Sequence, residues 1–506
     1  MPRSNAAVAT PHPAAAEAAR TILSRGGNAV DAAAGAMLAS CVVVPGSVGI
    51  GGYGGSLIAY VASEQKVVAI DFDSRAPLAF RPELFGDDRN AYELGYRSIA
   101  VPAVVAGVAM ALERLGTLPW AVVSEPAIAL AEEGVRVSRE LHTQLRDWAK
   151  KADSRSVHAL FSDGAVPAAG TTWVQGDLAG LLRRLATEGP TAFYQGEVPR
   201  TIVRQVQANG GILSEEDFAR YRPSIVEPLA IDYRGYCVVT PPPPSGGLTS
   251  LQILKTLERH DLSRVQPWGA DYFHLFAEAA KPCWQDRAKC LGDPDVTPIA
   301  VDQLLSAESA GARAAKQHTV NIVAADAAGN VVSVTATHGQ LFGSTVVIDG
   351  LGLIMGHGMS RFDLALGSPN APAAGKRMQH NMAPTLIVRP DGRPFAAVGT
   401  PGGTKIVTLT AQLVVSLLDF RATPTAAVTA GRVHVEAKEP LTVSPAVPEA
   451  VIEELRSLGH AVERAQVVNG IPQIGGPANA LLIDANTGEV SAASQAGDAA
   501  AATILL

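Results

Sequence analysis

Two runs rich in β-branched residues, separated by a short polar segment, form the clearest hydrophobic pattern in the chain. The runs cover residues 319–325 and 331–337, and the segment D-A-A-G-N lies between them. Its Gly329-Asn330 pair has the chemistry of a tight turn. The pattern therefore predicts an antiparallel β-hairpin.

The register of this hairpin brings two hydroxyl groups together. A turn centred on Ala328 puts Thr319 opposite Thr337. The Cβ atoms of directly opposed residues lie about 4.5–5.5 Å apart, so the two hydroxyls can form a hydrogen bond. A Thr–Thr pair is also common in sheets that have no catalytic role, and the hairpin alone does not separate the two interpretations.

The remaining apolar periodicity predicts helices and strands along the whole chain. We expect helices over residues 12–23, 29–44, 251–257, 273–289, 405–418 and 448–458, with further helices within 97–135 and 140–225. Strands are expected over 56–60, 67–73, 233–240, 385–388 and 395–398. Residues 293–318 lack periodicity and are predicted to form a loop or tether. Hairpin-rich strands flanked by helices predict an α/β (α+β) fold with stacked sheets and helices outside.

Composition excludes several classes of function. The chain has 506 residues and a net charge of −7 with scattered Lys and Arg, so no basic surface for nucleic acid is expected. The longest apolar run, 32–44, is too short to span a membrane. The N-terminus lacks the apolar core of a signal peptide, which favours a cytoplasmic protein. The four cysteines show neither metal nor redox spacing and require no disulfide: Cys41, Cys237, Cys283 and Cys290.

Several longer motifs resemble one family. They are H-P-A-A-A-E-A-A-R-T-I-L-S-R-G-G-N-A-V-D-A-A-A-G-A from residue 12, the glycine-rich segment 49–55, L-G-T-L-P-W from residue 115, and G-T-P-G-G-T from residue 399. Together with the hairpin they are similar to the γ-glutamyltransferase (γ-glutamyl transpeptidase) family of N-terminal-nucleophile hydrolases. The resemblance implies a four-layer αββα sandwich made as a single precursor.

The same resemblance implies that the precursor cuts itself just before Thr319. Residues 1–318 would form a large subunit and residues 319–506 a small subunit, together one domain. The resemblance leaves open whether two such pairs associate further. The implied partners are a small-molecule amide substrate and the chain's own second fragment, without a cofactor or metal.

The chemistry of a free N-terminal threonine agrees with this implication. A threonine hydroxyl is a poor nucleophile until a base takes its proton, and an α-amine with a pKa of roughly 7.7–8.0 can act as that base. The base exists only if the bond between His318 and Thr319 is cut. Thr337 is then expected to orient the nucleophile. Gly402 and Gly403, at a predicted helix start, are expected to bind the oxyanion through their N–H groups; the alternative is an ordinary glycine-rich helix entry.

The expected substrate pocket departs from the family pattern. The family binds the substrate's α-carboxylate with an arginine and its α-amine with an acidic residue, but these positions hold Asp73 and Arg361 here. Arg75, two residues after Asp73, shares its face if the strand continues and is expected to substitute partly. The paired serines and the Asn and Gln of the family are replaced by His380, Asn381, Gly339 and Gly358.

This charge pattern predicts a different acyl group. Arg361 would repel a substrate ammonium and attract a carboxylate. We therefore expect an acyl group without a free α-amine, such as a glutaryl or oxamyl half-amide. Alternatively, Arg361 pairs with Asp363 or Asp73 and leaves the pocket neutral.

Three other functions remain open from the sequence. The chain can be a genuine γ-glutamyl (glutathione) hydrolase or transpeptidase, or a non-catalytic relative in which Thr319 is never freed. It can also be a metal hydrolase. The histidines near the predicted site lack paired ligand spacing, which argues against metal: His318, His338, His357 and His380.

Overall fold

The computed structural model describes residues 5–86, 88–305, 318–365, 367–468, 471–472, 474–495 and 502–505. Its α-helices are α1 (Pro13–Ser24), α2 (Ala29–Val43), α3 (Arg89–Glu93), α4 (Val104–Leu115), α5 (Trp120–Glu133), α6 (Arg139–Ala149), α7 (Ser154–Leu160), α8 (Gly176–Glu188), α9 (Glu197–Ala208), α10 (Glu215–Arg220), α11 (Gly247–Leu257), α12 (Ala270–Cys290), α13 (Val301–Leu305), α14 (Lys405–Leu418), α15 (Pro424–Thr429) and α16 (Glu449–Ser457).

The strands form two large sheets and four small ones. They are β1 (Ala7–Thr10), β2 (Gly54–Val61), β3 (Lys66–Asp73), β4 (Val135–Arg136), β5 (Thr172–Trp173), β6 (Ser224–Val226), β7 (Leu229–Tyr233), β8 (Tyr236–Thr240), β9 (His318–Ala325), β10 (Val331–Gly339), β11 (Val347–Ile348), β12 (Leu353–Ile354), β13 (Thr385–Val388), β14 (Pro394–Gly399), β15 (Val433–His434), β16 (Leu441–Val443), β17 (Val462–Arg464), β18 (Val467–Val468), β19 (Ile471–Pro472), β20 (Asn479–Ile483), β21 (Val490–Ser494) and β22 (Ala502–Leu505). The first large sheet has the order β22-β1-β9-β10-β2-β3-β6, and the second has the order β21-β20-β14-β13-β8-β7.

The two large sheets pack face to face between layers of helices. Side chains such as Ile58 and Val323 of the first sheet meet Val239 and Leu386 of the second in a shared apolar core. The other face of the first sheet packs against α1, α2 and α4, and the other face of the second packs against α11 and α14. Helix α5 packs on α2, and α12 packs on α11. This arrangement is the four-layer αββα sandwich that was expected.

The predicted hairpin is formed by β9 and β10. Their pairing follows the predicted register from the turn to Ala336, which lies opposite Val320. Beyond this point the register shifts, and Gly339 pairs with His318. One extra residue on β10 therefore forms a bulge at the open end of the hairpin, a feature that commonly re-aims side chains beside active sites.

One carboxylate holds the hairpin turn against a helix. Asp326 accepts hydrogen bonds from the backbone N–H groups of Ala328 (2.9 Å) and Asn330 (3.0 Å) and from the Asn330 side chain (2.7 Å). It also accepts a hydrogen bond of 2.8 Å from the N–H of Ala29, the first residue of α2. The negative charge thus lies at a helix N-terminus, where the helix dipole stabilises it.

Three details differ from the sequence-based expectations or refine them. Residues 233–240 form two strands rather than one, because Arg234 and Gly235 make a turn with positive φ (55° and 78°). Within 293–318, Val301–Leu305 is helical, and residues 306–317 lie outside the described residues. The glycine-rich segment 49–55 packs closely: a Cβ on Gly55 would lie 2.3 Å from the Thr335 carbonyl oxygen. Among the described residues, no helix has both the length and the apolar character needed to cross a membrane.

The turn carboxylate gives a test of the fold. Each donor left without an acceptor costs about 1–3 kcal/mol, so we expect Asp326→Ala to lower the free energy of unfolding by about 3 kcal/mol. Chemical denaturation followed by circular dichroism measures the shift. Asp484→Ala is the matched control, because Asp484 accepts backbone N–H bonds from Asn486 and Thr487 in an exposed hairpin turn. Equal shifts for the two variants would contradict the assigned role.

Candidate active site

A row of residues crosses the first sheet at the end where β9 begins. Thr337 on β10 pairs with Gly54 on β2, and Gly54 pairs with Asp73 on β3. Residues paired in this way point to the same face of a sheet. Here that face is the one that meets the second sheet, and Thr319, Thr337 and Asp73 are all buried there. Gly54 packs tightly between them, since a Cβ there would lie 2.4 Å from the Phe72 carbonyl oxygen.

Thr319 and Thr337 form the predicted hydroxyl contact. The Thr319 hydroxyl donates to Thr337 Oγ1 over 3.2 Å, and Thr337 Oγ1 also accepts a 2.7 Å hydrogen bond from the N–H of Gly339. The bulge places both Thr337 and His338 opposite Thr319, and the His338 N–H donates to the Ser47 carbonyl oxygen. The sequence predicted the meeting of the two hydroxyls but not this bulge.

Asn321, two residues after Thr319, joins the two sheets. Its Nδ2 donates to Thr335 Oγ1 (3.0 Å), and its carbonyl oxygen accepts a 2.7 Å hydrogen bond from Asn479 Nδ2 on β20. Gly399, the last residue of β14, lies so close that a Cβ there would be 2.2 Å from Asn321 Nδ2. The segment after Gly399 therefore starts beside the strand that carries Thr319.

That segment contains the two glycines expected to bind an oxyanion. Gly402 and Gly403 have φ values of +137° and +67°, which non-glycine residues rarely adopt. A Cβ on Gly402 would lie 2.5 Å from Gly475 Cα. In the part of the chain that the structure describes, neither N–H group donates a hydrogen bond. Two unpaired N–H groups just before α14 make a site suited to negative charge.

Asp73 and His380 form a buried pair at the far end of the row. His380 Nε2 lies 3.1 Å from Asp73 Oδ2, and the Met382 N–H donates to His380 Nδ1. Burial raises the pKa of Asp73 well above its usual range, and burial lowers the pKa of His380 to about 3. Both shifts disfavour charge, so the imidazole is neutral at physiological pH and carries its proton on Nε2.

Two arginines lie near this pair, Arg287, which is buried, and Arg361, which is half-buried. Arg361 ends the short 3₁₀ turn Gly358–Arg361, and burial lowers its pKa while Tyr53 and Asp73 raise it. Arg287 donates to the His380 carbonyl oxygen (2.6 Å) and to Asn381 Oδ1 (2.7 Å). Arg287 thus fixes the orientation of the Asn381 side-chain amide, whose Nδ2 is left as a donor. This Nδ2 has no acceptor among the described residues. Sequence reasoning missed Arg287, because only the fold brings it to this turn.

Strand β3 ends at Asp73, and Arg75 forms an isolated bridge with Arg377, so the premise that the strand continues was wrong. The expected part of Arg75 in substrate binding stays a prediction. Instead Arg75 donates to the Gly375 carbonyl oxygen (3.2 Å) and lies 3.7 Å from Asp295. Its guanidinium is directed toward an acidic neighbour at the surface.

Gly339 and Gly358 cannot hold larger side chains in this structure. A Cβ on Gly339 would lie 2.1 Å from His357 Nε2, and one on Gly358 would lie 2.6 Å from Ala100 Cβ. His357 accepts a hydrogen bond from the Gln340 N–H (2.7 Å) and donates from Nδ1 to the Glu93 carbonyl oxygen (3.1 Å). The imidazole of His357 therefore fills the space beside Gly339. The spacing of the sequence does not reveal that His357 takes this place.

A cavity of about 810 Å³ adjoins Thr319 on its other side. Its wall includes Thr319, the start of α1, the end of α2, Arg432 and Gly475. The polar groups of Asp73, Arg361, His380 and Asn381 do not line it. We call the side chains of Asp73, Arg361, His380 and Asn381 the polar pocket. Thr319 lies between this group, toward β3, and the cavity on its other side.

One group of side chains away from Thr319 has the composition of a metal site. His274 and Glu278 lie one turn apart on α12, and His274 Nδ1 is 2.9 Å from His460 Nε2. Lys281 Nζ already pairs with Glu278 over 2.6 Å. We assign no metal to this group, because the lysine supplies the positive charge that the carboxylate requires.

Comparisons with known proteins agree with one family. The family model described as Gamma-glutamyltranspeptidase matches residues 15–500. The chain is 36% identical to the acylase ACY 1 proenzyme of Pseudomonas sp. (strain SE83), over 94% of this chain and 89% of that protein. It is 30% identical to the glutathione hydrolase proenzyme of Bacillus subtilis (strain 168), over 90% and 84%. The crystal structure of cephalosporin acylase from Bacillus halodurans superposes with a TM-score of 0.88 at 28% identity, covering 98% and 96%.

Gly339 offers a test of the geometry around Thr337. Its φ of +98° and the contact with His357 leave no room for a Cβ, so Gly339→Ala should displace the N–H that Thr337 Oγ1 accepts. We expect cleavage before Thr319, measured by intact mass, to slow about 100-fold, because a misplacement of reacting groups by about 1 Å has an effect of that size. Gly350→Ala is the control, because Gly350 also has positive φ but open space around it. Equal slowing of both variants would contradict this assignment.

Proposed function

The chain belongs to the gamma-glutamyltranspeptidase family, and we propose that it is an autoprocessed amide hydrolase or acyltransferase with Thr319 as its nucleophile. The observation that carries the proposal is the 3.2 Å hydrogen bond from the Thr319 hydroxyl to Thr337 Oγ1 at the start of β9. The proposed substrate is an amide whose acyl group bears a carboxylate and lacks a free α-amine.

The first proposed step is self-cleavage between His318 and Thr319. The Thr319 hydroxyl oxygen attacks the His318 carbonyl carbon, the C–N bond breaks, and the hydroxyl proton ends on the new amine. Water then hydrolyses the resulting ester, leaving a carboxylate on His318 and a free hydroxyl and amine on Thr319. The names of the two relatives above, both proenzymes, support this step.

The second step uses the freed amine as the base. It takes the hydroxyl proton while the oxygen attacks the substrate carbonyl, and the N–H groups of Gly402 and Gly403 stabilise the oxyanion. The C–N bond breaks, and the leaving amine takes the proton back from the Thr319 ammonium. Water activated by the same amine releases the acid from the acyl-enzyme; an acceptor amine in place of water would give transfer.

The proposed acyl group follows from the buried charges. Arg361 and the free Nδ2 of Asn381 supply donors for a carboxylate, and an arginine is well suited to bind one. Burial raises the pKa of Asp73 beside the neutral His380 and so disfavours its ionised form, which weakens its attraction for an ammonium. These features favour a glutaryl-type acyl group over a γ-glutamyl one.

A specific observation favours one competing substrate. Both carboxylate oxygens of Asp73 are buried without a well-directed hydrogen bond. A substrate ammonium placed there would pair with the carboxylate and favour its ionised form. This arrangement would suit a γ-glutamyl hydrolase or transpeptidase, which is our second candidate.

The nucleophile is tested by mass spectrometry. We expect the wild-type chain of 52.4 kDa to yield fragments of about 33 and 19 kDa, scaled by length, with the smaller one beginning at Thr319. Thr319→Ala should remain uncut and inactive, and Thr319→Ser should be cut more slowly. A wild-type chain that stays whole would identify a non-catalytic relative.

The acyl group is tested by two anilides. We expect glutaryl anilide to be hydrolysed with a higher kcat/KM than γ-glutamyl anilide. Arg361→Gln should lower the glutaryl value about 10–100-fold, which corresponds to about 1.5–3 kcal/mol for a hydrogen bond to a charged group. Arg393→Gln is the control, because Arg393 is exposed and paired with Asp391. A faster γ-glutamyl substrate would support the second candidate instead.

A further inference from the structure

The cavity beside Thr319 has a different chemistry from the polar pocket. Its wall is largely apolar and is built from segments that are far apart in the chain, including Val43, Val44, Leu130, Val135, Leu141 and Ile474. At about 810 Å³ it is large enough for a ring-containing molecule, within the range of ligand pockets. An apolar cavity of this size next to a nucleophile calls for an apolar occupant.

One buried cation lies in this apolar wall. Arg432 is only 5% exposed, and its Nη2 donates to the Val428 carbonyl oxygen. Its backbone N–H donates to Ser444 Oγ over 3.0 Å. Among the residues that the structure describes, no carboxylate forms an ion pair with Arg432, although buried charges are usually paired. Burial lowers its pKa to about 10, so Arg432 remains charged at neutral pH.

The position of the cavity decides which part of a substrate it can hold. On one side of Thr319 the cross-strand row leads through Thr337 and Gly54 to Asp73. On the other side lie Pro13 and Ala14 at the start of α1, which line the cavity. A planar trans amide directs its acyl and amine substituents away from each other. With the acyl group toward Asp73 and Arg361, the amine extends into the cavity.

We propose that this cavity is the leaving-amine subsite and takes a bulky, mainly apolar amine that carries a carboxylate, which Arg432 binds. The proposal rests on the proposed function, because it places the acyl group in the polar pocket. An arginine binds a carboxylate through two parallel hydrogen bonds, and apolar surroundings strengthen such a pair. Since the acyl-enzyme forms and breaks through the same transition state, the same subsite selects an acceptor amine in the reverse direction.

A matched pair of substrates tests the carboxylate. 4-(Glutarylamino)phenylacetate and 4-(glutarylamino)phenylacetamide have nearly the same size and differ in charge only at the amine end. The methylene group insulates the reacting nitrogen from that charge. We expect kcat/KM to be at least 10-fold higher for the carboxylate. Arg432→Met should bring the ratio close to one, Arg432→Lys should retain part of it, and Arg393→Met should leave it unchanged.

The outcomes separate this proposal from the proposed acyl group. If both glutaryl substrates are cut with equal kcat/KM by the wild-type protein, the subsite proposal is overturned and the proposed function stands. If neither is cut although Thr319 is freed, the acyl assignment fails, and calorimetry with the free amines decides the subsite without turnover. Tighter binding of 4-aminophenylacetate than of its amide, lost in Arg432→Met, supports the proposal; equal or absent binding overturns it. The wild-type comparison holds even if an Arg432 variant fails to fold.

Discussion

The hydrogen bonds of Asn321 are the contact on which the site depends. Its Nδ2 donates to two hydroxyl oxygens on β10, and Asn321 accepts a hydrogen bond from Asn479 of the second sheet. Asn321 thus joins the two sheets next to Thr319. Buried amide groups without partners are costly, and here the partners lie on two strands, β10 of the first sheet and β20 of the second. The position of the Gly402–Gly403 segment relative to the nucleophile follows from this joint, because Gly399 is pressed against Asn321.

The polar end of the sandwich keeps its shape through a balance of buried charges. Arg377 pairs with Asp71 (2.6 Å) and Asp293 (2.8 Å). This cluster lies directly next to Asp73 of the first sheet. A buried ion pair stabilises a protein only when each charge has enough well-placed hydrogen-bond and ion-pair partners. One arginine thus offsets part of the negative charge of two buried acids next to Asp73, whose own ionised form is disfavoured because burial raises its pKa.

The sequence reveals most of the fold because the signals that specify it are local. The runs of β-branched residues in β9 and β10, together with the turn residues, predict the hairpin and its register as far as Ala336. The bulge beyond that point could not be predicted, since it depends on Ser47 and His357 from other parts of the chain. The same reason explains the error at Arg75: the strand stops where the Ser74 hydroxyl turns to the Val101 carbonyl oxygen. The cavity and Arg432 were missed because segments that are far apart in the chain build that wall.

The order of strands has a consequence for what a cut before Thr319 would do to the molecule. In the first sheet β1 lies between β22 and β9, and in the second sheet β8 pairs with β13, so strands from both sides of position 319 are interleaved. The two polypeptides would share one core and could not part without unfolding. After denaturation, however, the uncut chain would refold at a rate independent of concentration, whereas the two pieces would first have to find each other. Before cleavage the protein would be a reversible folding unit. After cleavage it would be an assembly that forms once and persists because its unfolding is slow, not because the chain is continuous.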